Sequence, residues 1–156
     1  MAKQNRGFTL IELLVVIAII GLLANMAVMS IQNARLKSRN TRRIADVSNI
    51  QKALELYFSS MRTYPPTPGT VLGGSSALTL SSGNGFAATA SGDTFMVKVP
   101  ADPGIDSGSY AYTYTLGTAS TYTITFGITE KTGRLTCATY SATCCRATES
   151  TGIACN

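Results

Sequence analysis

One carboxylate, Glu12, interrupts a stretch that is otherwise apolar from Phe8 to Ile31, with Thr9, Asn25 and Ser30 the other polar positions. An ionised acid at bilayer depth costs about 2.5–3.5 kcal/mol on insertion scales, so a carboxylate there needs a partner. Its spacing from Thr9 offers one: in Thr9-x-x-Glu12 a hydroxyl and a carboxylate can reciprocally satisfy the first unpaired amides of a helix. A positive group from another chain is the other. Near the far end, Cys137, Cys144, Cys145 and Cys155 crowd into the last twenty residues, an even count that suits disulfides in an oxidising compartment. Adjacent Cys144 and Cys145 are poor partners for each other. Cys137 is therefore expected to pair with one of them and Cys155 with the other, both arrangements being open. Zinc is the competing use of the thiols, but the spacing is not that of a zinc ribbon and the chain has no His. The same lack of His removes most acid–base and triad chemistry. Neither facing carboxylates nor a phosphate-cradling glycine loop is evident, so no enzyme, metal or cofactor is expected.

These groups need two different supports. At about 1.5 Å per residue, Phe8 to Ile31 makes a helix of roughly 36 Å, enough to cross a bilayer once. A cleaved secretory signal would have a shorter apolar core ending in an A-x-A type site; none follows, and the helix is expected to be kept. Beyond it Ile44, Val47, Ile50, Leu54, Tyr57 or Phe58, and Met61 recur at steps of three and four, predicting an amphipathic continuation with one core stripe. No Pro or Gly falls between Leu22 and Tyr64, so a single helix can run to about Arg62, roughly 80 Å. Tyr64-Pro65-Pro66, followed by Pro68 and Gly69, ends it, because prolines lack amide donors and bias the preceding residues to extended backbone.

From Thr67 to about Asp93 the chain is rich in Gly, Ser, Ala and Thr and reads as a surface loop, with a short apolar interruption at Leu78-Thr79-Leu80. Strand patterns follow at Phe95 to Val99, Tyr110 to Leu116 and Tyr122 to Ile128. Tyr110, Tyr112, Tyr114 and Leu116 share one face, read as core rather than as a surface for stacking sugars or bases. Glu130-Lys131-Thr132-Gly133 reads as a hairpin turn before a strand from Arg134 to Ala138. The expected fold class is α+β: a long N-terminal helix, membrane-spanning and then amphipathic, packed on a small antiparallel sheet of about four strands. The expected segments are a leader at 1–7, a transmembrane helix at 8–31, an amphipathic helix at 32–62 and a β-rich domain with a disulfide-bonded C-terminal region at 63–156. With 156 residues, 13% of them charged and no Trp, the composition suits one small domain in a closely packed secreted assembly better than a free cytosolic enzyme.

The start of the chain resembles a known family. A leader carrying Lys3 and Arg6 and ending in Gly7, then Phe8-Thr9-Leu10-Ile11-Glu12, then Leu13-Leu14-Val15-Val16-Ile17-Ala18-Ile19-Ile20-Gly21, is similar to the opening of a type IV pilin or pseudopilin. The likeness in characteristic residues extends to about Ile31; the rest agrees in architecture. The resemblance implies that a membrane-embedded prepilin peptidase cuts between Gly7 and Phe8 and methylates the new amine of Phe8. It also implies that Glu12 meets that amine on a neighbouring subunit as helices stack into a filament. Gly7 suits such a cut, since a protease that binds extended backbone gains from a residue without Cβ. In lipid the new amine would be as costly as Glu12, and each can neutralise the other. The amine points away from its own helix, so a neighbour's carboxylate can approach it from outside. Met29 stands where many pilins have a helix-bending proline. If the helix unwinds in a filament, the segment from Gly21 to Met29 is the place, glycine lowering helix propensity by about 1 kcal/mol relative to alanine.

The formal net charge of +5 falls to +3 when Lys3 and Arg6 leave with the leader. Much of the remaining positive charge lies in Arg35, Lys37, Arg39, Arg42 and Arg43, a stretch with no acid. The positive-inside rule alone would put that stretch in the cytoplasm, but the cysteines and the resemblance put the C-terminal domain outside. The expected localisation is a single-pass inner-membrane protein before assembly and an extracellular pilus after it. The basic stretch has three readings. It can be a solvated or lipid-facing surface, gaining roughly 1 kcal/mol per cation from anionic head groups. It can pair with acids of neighbouring subunits. It can also bind nucleic acid, although no aromatic residues interleave to stack bases.

Pro100-Ala101-Asp102-Pro103-Gly104 with Asp106 is similar to the loop that binds calcium in the major pseudopilins of type II secretion. Calcium takes roughly six to eight oxygens, and two carboxylates only begin such a shell. Asp-Pro-Gly is also simply a turn, and no metal is assigned. The function implied is a structural subunit of a type IV pilus-like filament, polymerising through its hydrophobic helix after leader cleavage and supporting adhesion, motility or DNA uptake. Its implied partners are the peptidase/methyltransferase, identical and related subunits, a membrane-embedded assembly platform, and lipid before assembly. In pilins a Cys-closed C-terminal loop commonly lies on the outer filament surface. A type II secretion pseudopilin is the alternative within the same class. A membrane-tethered extracellular DNA-binding module that never polymerises is the alternative from another.

Overall fold

The computed structural model describes residues 8–66, 69–104, 111–129, 131–135 and 144–155. Gly7 and the rest of the leader, Thr67, Pro68, Asp106, Tyr110, Glu130, Cys137 and Ala138 lie outside them. The chain divides into two compact units, Met1–Arg35 and Leu36–Asn156. One helix, α1 (Leu10–Met61), supplies residues to both. Its continuity follows from a sequence with no Pro or Gly after Gly21 to interrupt the amide ladder.

In the first unit every described residue from Phe8 to Arg35 is exposed. Leu22 and Met29 keep 66% and 68% of their surface, as much as residues facing the other way, so no side of this segment is a core face. A helix that is apolar all round needs either a protein interior or lipid around it. By length and composition this segment can cross a membrane.

In the second unit α1 has a clear inside. Asn40, Arg43, Val47, Ile50, Leu54 and Tyr57 are buried at alternating steps of three and four, which puts them on one face. Ile44 and Phe58 are partly buried beside them, whereas Met61 is exposed, Tyr57 rather than Phe58 holding the last core position of the stripe. Each fully buried Ile or Leu there contributes about 1.5–3 kcal/mol.

The helix faces antiparallel strands, and the class is α+β. Eight short strands are present among the described residues: β1 (Thr70–Val71), β2 (Thr79–Ser81), β3 (Gly85–Ala87), β4 (Thr94–Met96), β5 (Thr113–Thr118), β6 (Thr121–Phe126), β7 (Cys145–Thr148) and β8 (Gly152–Cys155). They form a five-stranded sheet in the order β1-β5-β6-β7-β8 and a three-stranded sheet in the order β3-β2-β4. Alternation decides which side of β6 is core: Tyr122, Ile124 and Phe126 are buried, while Thr121, Thr123 and Thr125 face outward. Tyr112 and Tyr114 join them in the core, where Tyr122 lies edge-on to Tyr64 with ring centroids 4.6 Å apart.

The strand count exceeds the expected four because much of the extra pairing lies where no alternation advertises it. The segment expected as one loop up to Asp93 contains β1, β2 and β3, built around Leu72, Leu80 and Phe86, with Ser, Thr and Gly making the backbone ladder between them. Phe95 to Val99 shortens to β4: Val97 is 80% exposed and only Val99 returns to the core. Thr132 and Leu135 bridge across Gly133, whose φ of 62° is left-handed; of the strand expected from Arg134 to Ala138 only Arg134 and Leu135 are described, and they form no more than this bridge.

Helix α1 ends one residue before the expected position. Arg62 takes a left-handed φ of 58°, and its N–H donates to the Phe58 carbonyl at 2.8 Å. Glycine normally fills such a C-cap, because a Cβ there costs roughly 1–2 kcal/mol. Arg62 is exposed. Arg62→Gly is expected to raise stability by about 1 kcal/mol, read as a higher urea midpoint for the full chain in detergent, with no change in helix content.

Candidate functional site

At the start of α1, Thr9 and Glu12 close on each other. The Thr9 N–H and the Thr9 hydroxyl both donate to Glu12 Oε2, at 2.8 and 2.6 Å, and the Glu12 N–H donates to Thr9 Oγ1 at 3.4 Å. This is a capping box, with Thr9 as N-cap and the acid in the first turn. It uses one oxygen of the carboxylate. Oε1 has no hydrogen-bond partner among the described residues, and Glu12 is exposed. Phe8, one residue before the cap, keeps 85% of its surface. Capping and an interaction with an outside cation are therefore compatible uses of Glu12, one per oxygen.

A second polar constellation lies in the other unit, and it corrects the reading of the basic stretch. Arg43 is 2% exposed and grips Asp102 with two donors, Nε to Oδ1 at 2.7 Å and Nη2 to Oδ2 at 3.3 Å. Its third nitrogen, Nη1, donates to Asn40 Oδ1 at 3.0 Å, and that oxygen also accepts from the Thr129 N–H and hydroxyl, both at 3.2 Å. Asp102 Oδ1 accepts in addition from the Gly104 N–H at 3.3 Å. Arg43 is thus neither solvated nor offered to a neighbour; its partner is an acid of its own chain. Gly104 leaves the room, since a Cβ on it would come within 2.9 Å of Arg43 Nη2. Arg42 is exposed and lies 3.8 Å from Asp46 one turn on.

Burial raises the Asp46 carboxyl above its ordinary value, a hydrogen bond from the Tyr112 hydroxyl and the charge of Arg42 pulling the other way. Burial, and then the charges of Asp46 and Asp102, push the Tyr112 hydroxyl far above its own. It stays protonated and donates to Asp46 Oδ2 at 3.2 Å.

This network also bears on the calcium-like loop. Both oxygens of Asp102 are taken by a guanidinium, and Asp106 lies outside the described residues. Among the described residues no three His, Cys, Asp or Glu side chains gather as a metal set. Sequence reasoning did not single out Asn40, Arg43 and Thr129 as a unit. The available signal was the stripe itself: continued backward from Val47 by four and three, it lands on Arg43 and Asn40.

A profile described as the prokaryotic N-terminal methylation motif matches residues 2–31. Similarity also continues past that motif: the type II secretion system core protein G of Escherichia coli (strain K12) is 32% identical over 100 residues, 64% of this chain and 67% of that protein. The chain belongs to the type IV pilin and pseudopilin family. Two further relatives of this pilin-family chain align over shorter spans. A probable minor fimbrial protein of Dichelobacter nodosus is 45% identical over 53 residues, 34% of this chain and 33% of its own length. A fimbrial protein of Pseudomonas aeruginosa is 43% identical over 53 residues, 34% of each chain. None of the three is named as an enzyme. No solved structure matches significantly.

Two of the chain's cysteines stand on the last hairpin. Cys145 on β7 is bonded to Cys155 on β8, its direct partner in the strand register. Cys144 is disulfide-bonded as well, and Cys137 lies outside the described residues. The hairpin returns at Gly152, whose left-handed φ of 66° a Cβ would strain. Gln51 on α1 donates to the Thr148 carbonyl at 3.0 Å, and Glu149 accepts from the Tyr122 N–H at 3.1 Å. The C-terminal end of the chain, expected as a disulfide-bonded region, contributes β7 and the edge strand β8 to the main sheet.

Proposed function

We propose that the chain is a structural subunit of a type IV pilus-like filament. A prepilin peptidase removes residues 1–7, cutting between Gly7 and Phe8, and the Phe8 amine is methylated. The segment from Phe8 to Ile31 anchors the subunit in the inner membrane with the C-terminal domain outside, until an assembly platform adds it to the filament. There Glu12 neutralises the Phe8 amine of a neighbouring subunit. The observation that carries this reading is the division of labour at Glu12: Oε2 is held by Thr9, and Oε1 has no partner within the described chain on a fully exposed apolar helix. An amine at Phe8 and a carboxylate at Glu12 are each costly in lipid alone, and together they form a pair that lipid tolerates. Disulfides at Cys144, Cys145 and Cys155 suit a domain outside the cytoplasm.

Shearing cells, imaging the released material by electron microscopy and weighing the chain in it tests the proposal. The expected mass begins at Phe8 and carries one added methyl, and Gly7→Val is expected to leave only precursor-length chain in the membrane. Absence of the chain from sheared filaments, or a mature-sized product from Gly7→Val, would overturn the assignment.

A second reading is a secretion pseudopilin, which forms its filament inside a type II secretion machine. It is favoured by the longer alignment with the secretion relative, over 100 residues against 53 for either fimbrial relative. Loss of secreted proteins without loss of surface filaments on deleting the chain would select it. Nucleic-acid binding loses support from Arg43, which is buried against Asp102.

A further inference from the structure

We propose that Asn25 and Gly21 form a contact through which two copies of this helix associate side by side within the membrane before either enters a filament, a reading that rests on the membrane span proposed above. Asn25 lies six residues before Ile31, the last residue of the apolar run. That puts its amide about 9 Å inside the hydrocarbon by helical rise. Its side chain is too short to reach the interface as Lys and Arg do. It is exposed on α1, and among the described residues its amide has no hydrogen-bond partner, the carbonyl one turn back included. In lipid an amide left this way has one acceptor and two donors with nothing to meet them.

The group that satisfies both is another amide, and the same residue on a second copy supplies it: the carbonyl of each accepts from the NH2 of the other. This complementarity selects the occupant, because a contact between equal positions is closed by symmetry and every subunit awaiting assembly brings it. The backbone beside Asn25 permits the approach. Gly21 lies one turn earlier on the same face, and a Cβ built there meets nothing within 4 Å, so the missing side chain leaves a notch on the outside of the helix. Small residues let membrane helices approach closely, and an Asn beside such a residue can then hydrogen-bond across the contact. Glu12 is about 140° away around the helix axis by the helical repeat. A copy seated on Asn25 therefore leaves the Glu12 carboxylate uncovered for the filament contact, and the membrane pair and the filament pair are separate contacts.

The test uses the full chain, labelled in separate batches with donor and acceptor dyes and reconstituted in phosphatidylethanolamine–phosphatidylglycerol vesicles. Energy transfer is followed as the lipid-to-protein ratio rises. Asn25→Leu is expected to shift half-association to about three- to tenfold higher protein density, Gly21→Ile to shift it in the same direction, and Asn25→Gln to restore it. Val16→Leu, opposite Asn25 around the helix axis by the helical repeat, is expected to leave it unchanged. Leucine is a strong helix former, so the variant keeps α1, checked by circular dichroism. A chain washed from the vesicles at alkaline pH would refute the membrane span and this contact with it. If the chain stays in the vesicles but the Asn25→Leu variant transfers as well as the parent, the contact alone is overturned. So it is if no transfer between copies appears at any density; the amide would then serve another membrane protein or the filament.

Discussion

Glu12→Gln is expected to leave a chain that is processed and accumulates in the membrane at its usual level, while filaments vanish from sheared material. The substitution isolates charge from capping. A Gln at the third helical position can still complete the capping box, because its carbonyl oxygen accepts the Thr9 hydrogen bonds that Glu12 Oε2 now accepts. What it cannot do is neutralise a neighbour's ammonium group. An unpaired charge at bilayer depth costs about 2.5–3.5 kcal/mol on insertion scales, and in a filament that cost recurs at every subunit. Thr9→Val is the converse. It removes one side of the cap, weakening the helix start by about 0.5–2 kcal/mol, but keeps the acid, and filaments are expected to persist. Normal filaments from Glu12→Gln, or their loss from Thr9→Val alone, would reduce Glu12 to a capping residue.

The second large effect is expected at Arg43. Arg43→Met keeps much of the buried aliphatic volume and leaves the Asp102 carboxylate almost buried without its cation, since Asp102 has only 10% of its side chain exposed. Removing one partner from a buried ion pair costs about 3–5 kcal/mol, most of it the penalty of the stranded charge. A domain of this size has about 5–15 kcal/mol of stability in total, so the variant should unfold at a far lower urea concentration and be cut readily by protease. Asp102→Asn is expected to cost a similar amount, because it strands the Arg43 guanidinium, only 2% exposed, with no counter-ion even though the amide carbonyl still accepts one of its hydrogen bonds. The double variant Arg43→Met/Asp102→Leu should recover much of the loss, since neither charge then remains buried. The readout is tyrosine near-ultraviolet circular dichroism of the full chain in detergent. The buried pair should also resist added salt, whereas Arg42→Ala, which removes an exposed i,i+4 pair, should cost about 0.5 kcal/mol or less. A single Arg43→Met variant as stable as the parent would show that the network is incidental to folding.

Both effects bear on the kind of information a sequence holds. Thr9 and Glu12 are three residues apart, and helical geometry alone brings them together, so the cap could be anticipated from spacing. The stripe from Val47 to Tyr57 and the alternation in β6 were legible for the same reason: a regular period maps a linear pattern onto one face. Arg43 and Asp102 are 59 residues apart. No period relates them, and a cation among four others in a row looks like surface until the chain returns to cover it. β1, β2 and β3 were hidden differently, being two or three residues long in a Ser- and Gly-rich segment where backbone pairing carries the order.

The sequence by itself determined the long helix, its apolar and amphipathic halves, the core side of the central strands and the motif that places the chain among pilins and pseudopilins. Each of these is written in local spacing or in uninterrupted composition. Only the tertiary structure decided which cation of the basic stretch is buried, that Asp102 is held by an arginine, that Cys155 takes Cys145 rather than Cys144, and that the last residues form the edge of a five-stranded sheet. Those outcomes depend on which distant segments meet. That is set by the summed packing of the core, which no short window of sequence contains.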